Sequence, residues 1–324
     1  MRHFTALLGI PLILIAGCAP TDGTAPGGPG GSADERWESF QQRADEVAEA
    51  WRTASGRQAW LAGYAPLQSP TVLPVEPGFT PETEQAFHAG WYRAELTVPT
   101  ETPADGTVDF PDGTLSVPLV SAADAYAELR QGDPPQCDAA RPGPDPTGSA
   151  TDLGGTPGPD DSATDSGELG CQVLTVTAAT LGTVDLLTSR GTAQVPAWLF
   201  DVAELDGPVA RVAVDESVAV PAPEPQVPEP AGMTTFVTAQ NLTGVDGTDL
   251  VYRLGVGACD SDITPFVQEY ADSVVVAGGV TRTGQECTDQ LLFHPVTVTL
   301  DEALGARTVL DALTGRPLHV IAVG

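Results

Sequence analysis

The sequence has no lysine, and all 14 of its basic residues are arginine. Schiff-base and lysine-nucleophile chemistry is therefore excluded. The arginines face 44 acidic residues, which leaves a net charge of −30. A chain with so few bases has no positive stripe for a phosphate backbone, so we expect no nucleic-acid binding. Anionic lipid would also repel it unless the chain were attached covalently.

Signatures of common enzyme classes are missing as well. The sequence has no G-x-S-x-G, H-E-x-x-H, P-loop, dinucleotide fingerprint or C-x-x-C. His3 belongs to the leader, and the apolar alternation around His294 and His319 predicts that both are core residues. His88 is the histidine that we expect to be exposed. We therefore predict no catalytic residue, no cofactor and no metal ligand.

Two acidic pairs could still carry chemistry. Asp109 and Asp112 stand in GTVDFPDGTLSVP, which could be a calcium-type loop, a pair of catalytic acids or a turn. The related frame GTVDLLTSRGTAQVP, at 182–196, lacks the second carboxylate, so we interpret both stretches as hairpins of one sheet. Asp260 and Asp262 could bind a cation, but we interpret their CDSD stretch as a polar turn.

The N-terminus has the form of an export signal. A short basic start precedes an apolar run from Ala6 to Ile15, which is too short to span a bilayer. The motif IAGC, which ends at Cys18, resembles the lipobox of bacterial lipoproteins. The resemblance implies a signal peptide over residues 1–17 and lipidation of Cys18, with palmitate in the anchor. It places the protein on the outer face of the cell membrane.

Composition divides the rest of the chain. Residues 18–33 contain the lipidated cysteine and a Gly/Pro-rich stretch that predicts a flexible tether. Residues 34–220 predict an α+β domain, in which the acidic, Gly/Pro-rich stretch 138–170 is a disordered insertion. The proline-rich segment 221–230 predicts a stiff linker, and residues 231–324 predict a β domain.

Hydrophobic periodicity predicts an α+β fold, with N-terminal helices packed on an antiparallel sheet and a mainly β C-terminal domain. Apolar residues at helical spacing from Trp37 to Trp51 predict a first helix with one buried face. Further helices are expected from Thr80 and over 121–130. Two-residue alternation predicts strands through most of the remaining chain.

Four cysteines remain once Cys18 is assigned to the anchor. An even number in an exported chain indicates disulfides, and three connectivities are possible. We predict the sequential pairs Cys137–Cys171 and Cys259–Cys287, because each pair falls within one proposed domain.

A wider resemblance rests on LTSRGTAQVPAWLF and LDEALGARTVLDALTGRPL, at 187–200 and 300–318. Both are similar to segments of secreted lipoproteins of GC-rich Gram-positive bacteria of the actinobacterial type. The resemblance supports the compartment and the domain order, and it transfers no functional residue.

These observations together predict a lipid-anchored, non-enzymatic binding or scaffold module of the cell envelope, a role compatible with an envelope protein as partner. One alternative is a cell-envelope hydrolase with dispersed carboxylates. Another is a ligand-binding accessory of a transporter or sensor, although typical solute-binding proteins alternate strands and helices and this sequence does not.

Replacing Cys18 with Ala tests the anchor. Because the sulfur is the attachment point for the lipid, we expect the C18A protein to leave the membrane fraction and enter the medium. Immunoblots of fractionated cells measure this redistribution, with unaltered protein as the reference. Membrane retention of the variant would show that the anchor assignment is wrong.

Overall fold

The computed structural model describes residues 33–132, 172–230, 232–282 and 288–321. Several predicted features lie outside these residues, namely the signal peptide, Cys18, most of the tether, the insertion 138–170, Cys137, Cys171 and Cys287. Strands dominate the described residues and helices cluster towards the N-terminus, which confirms the predicted α+β class. None of the described helices is both long enough and apolar enough to cross a membrane.

The described residues form four α-helices, which are α1 (Ala33–Thr53), α2 (Arg57–Ala62), α3 (Pro81–His88) and α4 (Ala122–Leu129). The side chains of Thr80 and Ser121 accept hydrogen bonds from backbone N–H groups and cap α3 and α4. The sequence analysis did not predict α2, which begins directly after Gly56. With φ at 86°, Gly56 joins α1 to α2 through a left-handed turn.

A seven-stranded sheet occupies the first half of the chain. Its strands are β1 (Thr71–Val72), β2 (Tyr92–Ala94), β3 (Gly106–Phe110), β4 (Gly113–Val117), β5 (Leu174–Thr188), β6 (Gly191–Val202) and β7 (Val209–Val212). One path through it runs β1-β7-β6-β3-β4, and β5 lies between β6 and β2. The β3–β4 and β5–β6 hairpins lie in this one sheet, as the repeated G-T-V-D frame predicted.

The second half contains two smaller sheets. Their strands are β8 (Phe236–Val237), β9 (Ala239–Asp246), β10 (Asp249–Gly257), β11 (Asp260–Glu269), β12 (Ser273–Arg282), β13 (Leu291–Thr299) and β14 (Thr308–Asp311). One sheet has the order β13-β10-β9, and the other has the order β11-β12-β14 with β8 beside β12. An apolar core that includes Leu250, Leu254 and Val276 lies between them.

The first helix packs on the last sheet. Phe40, Val47 and Trp51 on α1 are fully buried, and they share an apolar cluster with Val275 of β12 and Leu310 of β14. The apolar spacing predicted this buried face, but it could not identify the sheet beneath it. The helix therefore belongs in space with the C-terminal half, although it was predicted as part of residues 34–220.

The proline-rich segment 221–230 packs on the same cluster. Ala222 and Val227 are partly buried against it, and Pro223 and Pro225 are buried. The segment was predicted as a stiff linker between two domains. In the structure it runs along the second half and contributes to its packing.

Residues 64–68 connect the two halves through backbone hydrogen bonds. On one side, Leu67 N donates to Leu187 O at 2.8 Å and Ser189 N donates to Ala65 O at 2.9 Å. On the other side, Val320 N donates to Leu67 O at 2.6 Å. The tip of the β5–β6 hairpin and the end of the described chain are thus bound to the same short segment.

Arg43 attaches α1 to the turn after β14. Its side chain is 3% exposed, with Nε 2.8 Å from Ala312 O and Nη2 2.9 Å from Leu313 O. Asp311 at the start of that turn accepts hydrogen bonds from Ala239 N, Thr314 N and the Thr314 hydroxyl. Burial raises the pKa of Asp311 in spite of these bonds.

Replacing Arg43 with Met tests this attachment. The aliphatic volume is retained, but two buried carbonyl groups lose their donors, so we expect unfolding to require about 2–4 kcal/mol less free energy. Urea denaturation measures the change. R93M is the matched control, because Arg93 is 64% exposed and its ion pair with Glu95 spans 3.7 Å; we expect it to cost less than about 1 kcal/mol. Equal losses in the two variants would contradict the role of Arg43.

A second prediction concerns Glu269, at the end of β11. Burial raises its pKa, but hydrogen bonds from Asp301 N and Arg307 and the charge of Arg307 outweigh this effect and hold the pKa below its ordinary 4.5. A carboxylate with a lowered folded-state pKa stabilises the fold above its ordinary pKa, and this contribution disappears as the pH falls through the folded value. We expect E269Q to be less stable than the unaltered protein at pH 7, with the difference shrinking below about pH 4. Thermal melts across pH measure it, and a pH-independent difference would contradict the linkage.

Candidate functional site

Asp112 connects the turns of the two related hairpins. Arg190, in the turn between β5 and β6, approaches it with Nη2 2.6 Å and Nε 3.0 Å from Asp112 Oδ1. The same guanidinium lies 3.8 Å from the centre of the Phe110 ring, and its Nη1 donates to Ala62 O. The carboxylate of Asp112 is therefore occupied by an arginine. The hairpin interpretation is confirmed.

The prediction of a polar turn at CDSD is wrong for its two aspartates. The turn falls on Ala258 and Cys259, and Asp260 and Asp262 lie in β11, because this strand already pairs with β12 from Asp260 onward, with Asp260 opposite Arg282. Asp260 Oδ2 accepts a hydrogen bond from Gly257 N at 2.8 Å, and its Oδ1 lies 3.4 Å from Arg282 Nε. Asp262 has a φ of 50°. Within the described ranges, no three residues of the types His, Cys, Asp or Glu come together as metal ligands.

Cys259 is disulfide-bonded. Its predicted partner, Cys287, lies outside the described residues, so the Cys259–Cys287 connectivity stays a prediction.

The prediction that His294 and His319 are core residues is wrong, because both are exposed. His294 lies on β13, an edge strand of its sheet, and residues 291–295 of this strand are all exposed. Leu291 and Phe293 on the same stretch are more than half exposed. Alternation correctly indicates a strand here, but it does not show whether a second layer covers it. His88 is exposed, as predicted.

A cavity of about 460 Å³ lies between the first half of α1 and the chain that leads into β8. We call it the α1 cavity. Its lining consists of Glu35, Arg36, Ser39, Gln42, Arg43 and Glu46 from α1, and of residues 228–230 and 232–236 from the facing chain. The volume falls within the range typical of sites for small ligands.

The two walls of the α1 cavity are held by the fold. On the helix side, the apolar stripe below the lining residues is buried, and Arg43 is bonded to the turn after β14. On the facing side, Phe236 is buried and Thr235 O accepts a hydrogen bond from Val280 N of β12 at 2.8 Å. The lining therefore comes from elements whose positions are set by packing and backbone hydrogen bonds.

Arg36 is the chemically distinctive residue of the α1 cavity. Its Nε is buried and has no hydrogen-bond partner, and no ion pair joins Arg36 to another described residue. Arg43, the other arginine of the lining, differs because it bonds two carbonyl groups and Glu46. The terminal nitrogens of the Arg36 guanidinium likewise form no hydrogen bond with another described residue, so they are available to an anionic partner in the cavity.

Sequence reasoning missed this site. Arg36 and Met233 face the same cavity, yet nearly two hundred residues separate them in the chain. The one available signal was the polar flank of α1 at positions 35, 39, 42 and 46, which is typical of any solvent-facing helix surface. Comparisons with protein-family models, with curated proteins and with solved structures find no match to this chain.

Proposed function

We propose that this protein is a lipid-anchored binding module on the outer face of the cell membrane and that it holds its ligand in the α1 cavity. The anchor would be Cys18, as the lipobox resemblance implies. The tether would then join the membrane to α1, the helix that forms one wall of the cavity. A tether of about 15 residues has a root-mean-square reach on the order of 20 Å.

The observation that carries the binding role is that Arg36 lines a cavity of ligand size and forms no hydrogen bond or ion pair with another described residue. Most of the described arginines form ion pairs within the protein, as expected in a chain with so many acids. An arginine that lines a cavity without such a pair is poised to meet an anionic group from outside the fold.

The geometry favours binding over hydrolysis. Glu46 is bound by Arg43 at 3.1 Å, so it is not free to serve as one member of an acid–base pair. Glu35 and Glu46 stand on one helix, and Glu229 lies on the facing chain. The hydrolase alternative rests on no comparable observation.

A photo-crosslinking experiment tests where the ligand binds. We place p-benzoylphenylalanine at Met233, which lines the cavity, in the full-length protein on intact cells. We expect irradiation to attach envelope material at this position, detected as a mass shift or a slower band. The matched control is the same substitution at Val75, which is fully exposed and belongs to the first half of the chain.

Two outcomes would contradict the proposal. Equal labelling at positions 233 and 75 would show that the cavity has no preference for a ligand. An adduct within the same chain, to residues 19–32, would show that the tether itself fills the cavity.

A further inference from the structure

The lining charges restrict what the α1 cavity can bind. Three carboxylates, on Glu35, Glu46 and Glu229, face two guanidinium groups, on Arg36 and Arg43. A multiply charged anion such as phosphate would meet repulsion from this lining. A ligand with one carboxylate and with N–H or ammonium groups would complement both the arginines and the glutamates of the lining.

Arg36 is suited to a carboxylate in particular. A guanidinium presents its N–H groups in a planar fork, which matches the two oxygens of a carboxylate. The Arg36 side chain forms no hydrogen bond or ion pair with another described residue, which leaves the two terminal nitrogens of the fork for a ligand. Arg43 donates to Ala312 O, Leu313 O and Glu46, so Arg36 is the arginine of the lining that can donate hydrogen bonds to an incoming anion.

The rest of the lining fits a peptide backbone with small side chains. Gln42, Thr234 and Thr235 offer amide and hydroxyl groups, and Met233 and Phe236 supply apolar surface. Glu229 is exposed and has no side-chain hydrogen bond within the described residues, which leaves its carboxylate available to N–H donors.

We infer, building on the binding role proposed above, that the α1 cavity recognises the free C-terminal carboxylate of a short peptide, with Arg36 as its partner. The carboxylate accepts hydrogen bonds from the Arg36 guanidinium, and backbone N–H groups of the peptide face the carboxylate of Glu229. Free peptides and the peptide ends of a cell-wall polymer share this chemistry.

The test uses a matched pair of probes, trialanine and trialanine amide, which differ only at the C-terminal carboxylate. Full-length lipidated protein in detergent micelles is titrated with each probe by calorimetry. We expect the acid to bind at least about tenfold more tightly than the amide, as charge-assisted hydrogen bonds allow. R36Q should remove this preference, because the side chain stays polar but loses its charge. Purified cell-wall fragments with free or amidated peptide ends, titrated in the same way, distinguish the two sources.

Two control variants complete the experiment. R93Q removes an arginine from β2, outside the cavity, and should leave the preference for the acid intact. R36K keeps the charge without the planar fork and should retain only part of the preference. Thermal melts of each variant establish that it is folded.

The outcomes separate this inference from the proposed function. Equal binding of acid and amide, or an unchanged preference in R36Q, would overturn the carboxylate inference while the cavity remained a binding site. If neither probe binds and crosslinking at position 233 is no stronger than at position 75, both are overturned. A preference that disappears in R36Q and persists in R93Q supports both.

Discussion

The backbone hydrogen bonds of residues 64–68 are the constraint on which the arrangement of the whole molecule depends. The N–H of Leu67 donates a hydrogen bond to Leu187 O on the β5–β6 hairpin. The C=O of Leu67 accepts one from Val320 N, near the end of the described chain. Tyr64 O accepts from Val220 N, so the start of the proline-rich segment is held by the same few residues. Buried backbone groups must be paired, and here the partners come from three distant parts of the chain.

This connection explains how the first helix reaches the last sheet. Residues 64–68 lie between the two halves. The helices α1 and α2, which precede them, pack on the second half, and the chain that follows them enters the seven-stranded sheet. The proline-rich segment then returns along the same apolar cluster. The α1 cavity is a consequence of this route, since one wall comes from the start of the described chain and the other from the residues that enter β8.

Two of the described arginines connect parts of the fold that are far apart in the chain. Arg190 joins two hairpin turns, and Arg43 fastens α1 to the turn after β14. These roles satisfy a guanidinium inside the fold. Arg36 differs from these two, because it lines a cavity and forms no hydrogen bond or ion pair with another described residue.

The sequence by itself determined the local structure. Periods of two and of three to four residues predicted the strands and the buried stripe of α1, and the repeated G-T-V-D frame predicted two hairpins in one sheet. These features depend on dihedral preferences and on neighbours close in the chain.

Only the tertiary structure decided which surfaces meet. The apolar stripe of α1, from Trp37 to Trp51, could pack on a sheet of either half. The alternation of apolar and polar residues around His294 is the same whether or not a second layer covers the strand. The partner of a buried face is chosen by packing between residues far apart in sequence, which no local pattern encodes. The same physical reason applies to Arg36. Its position on a polar helix flank is ordinary, and only the chain facing it, at residues 228–230 and 232–236, makes a cavity there.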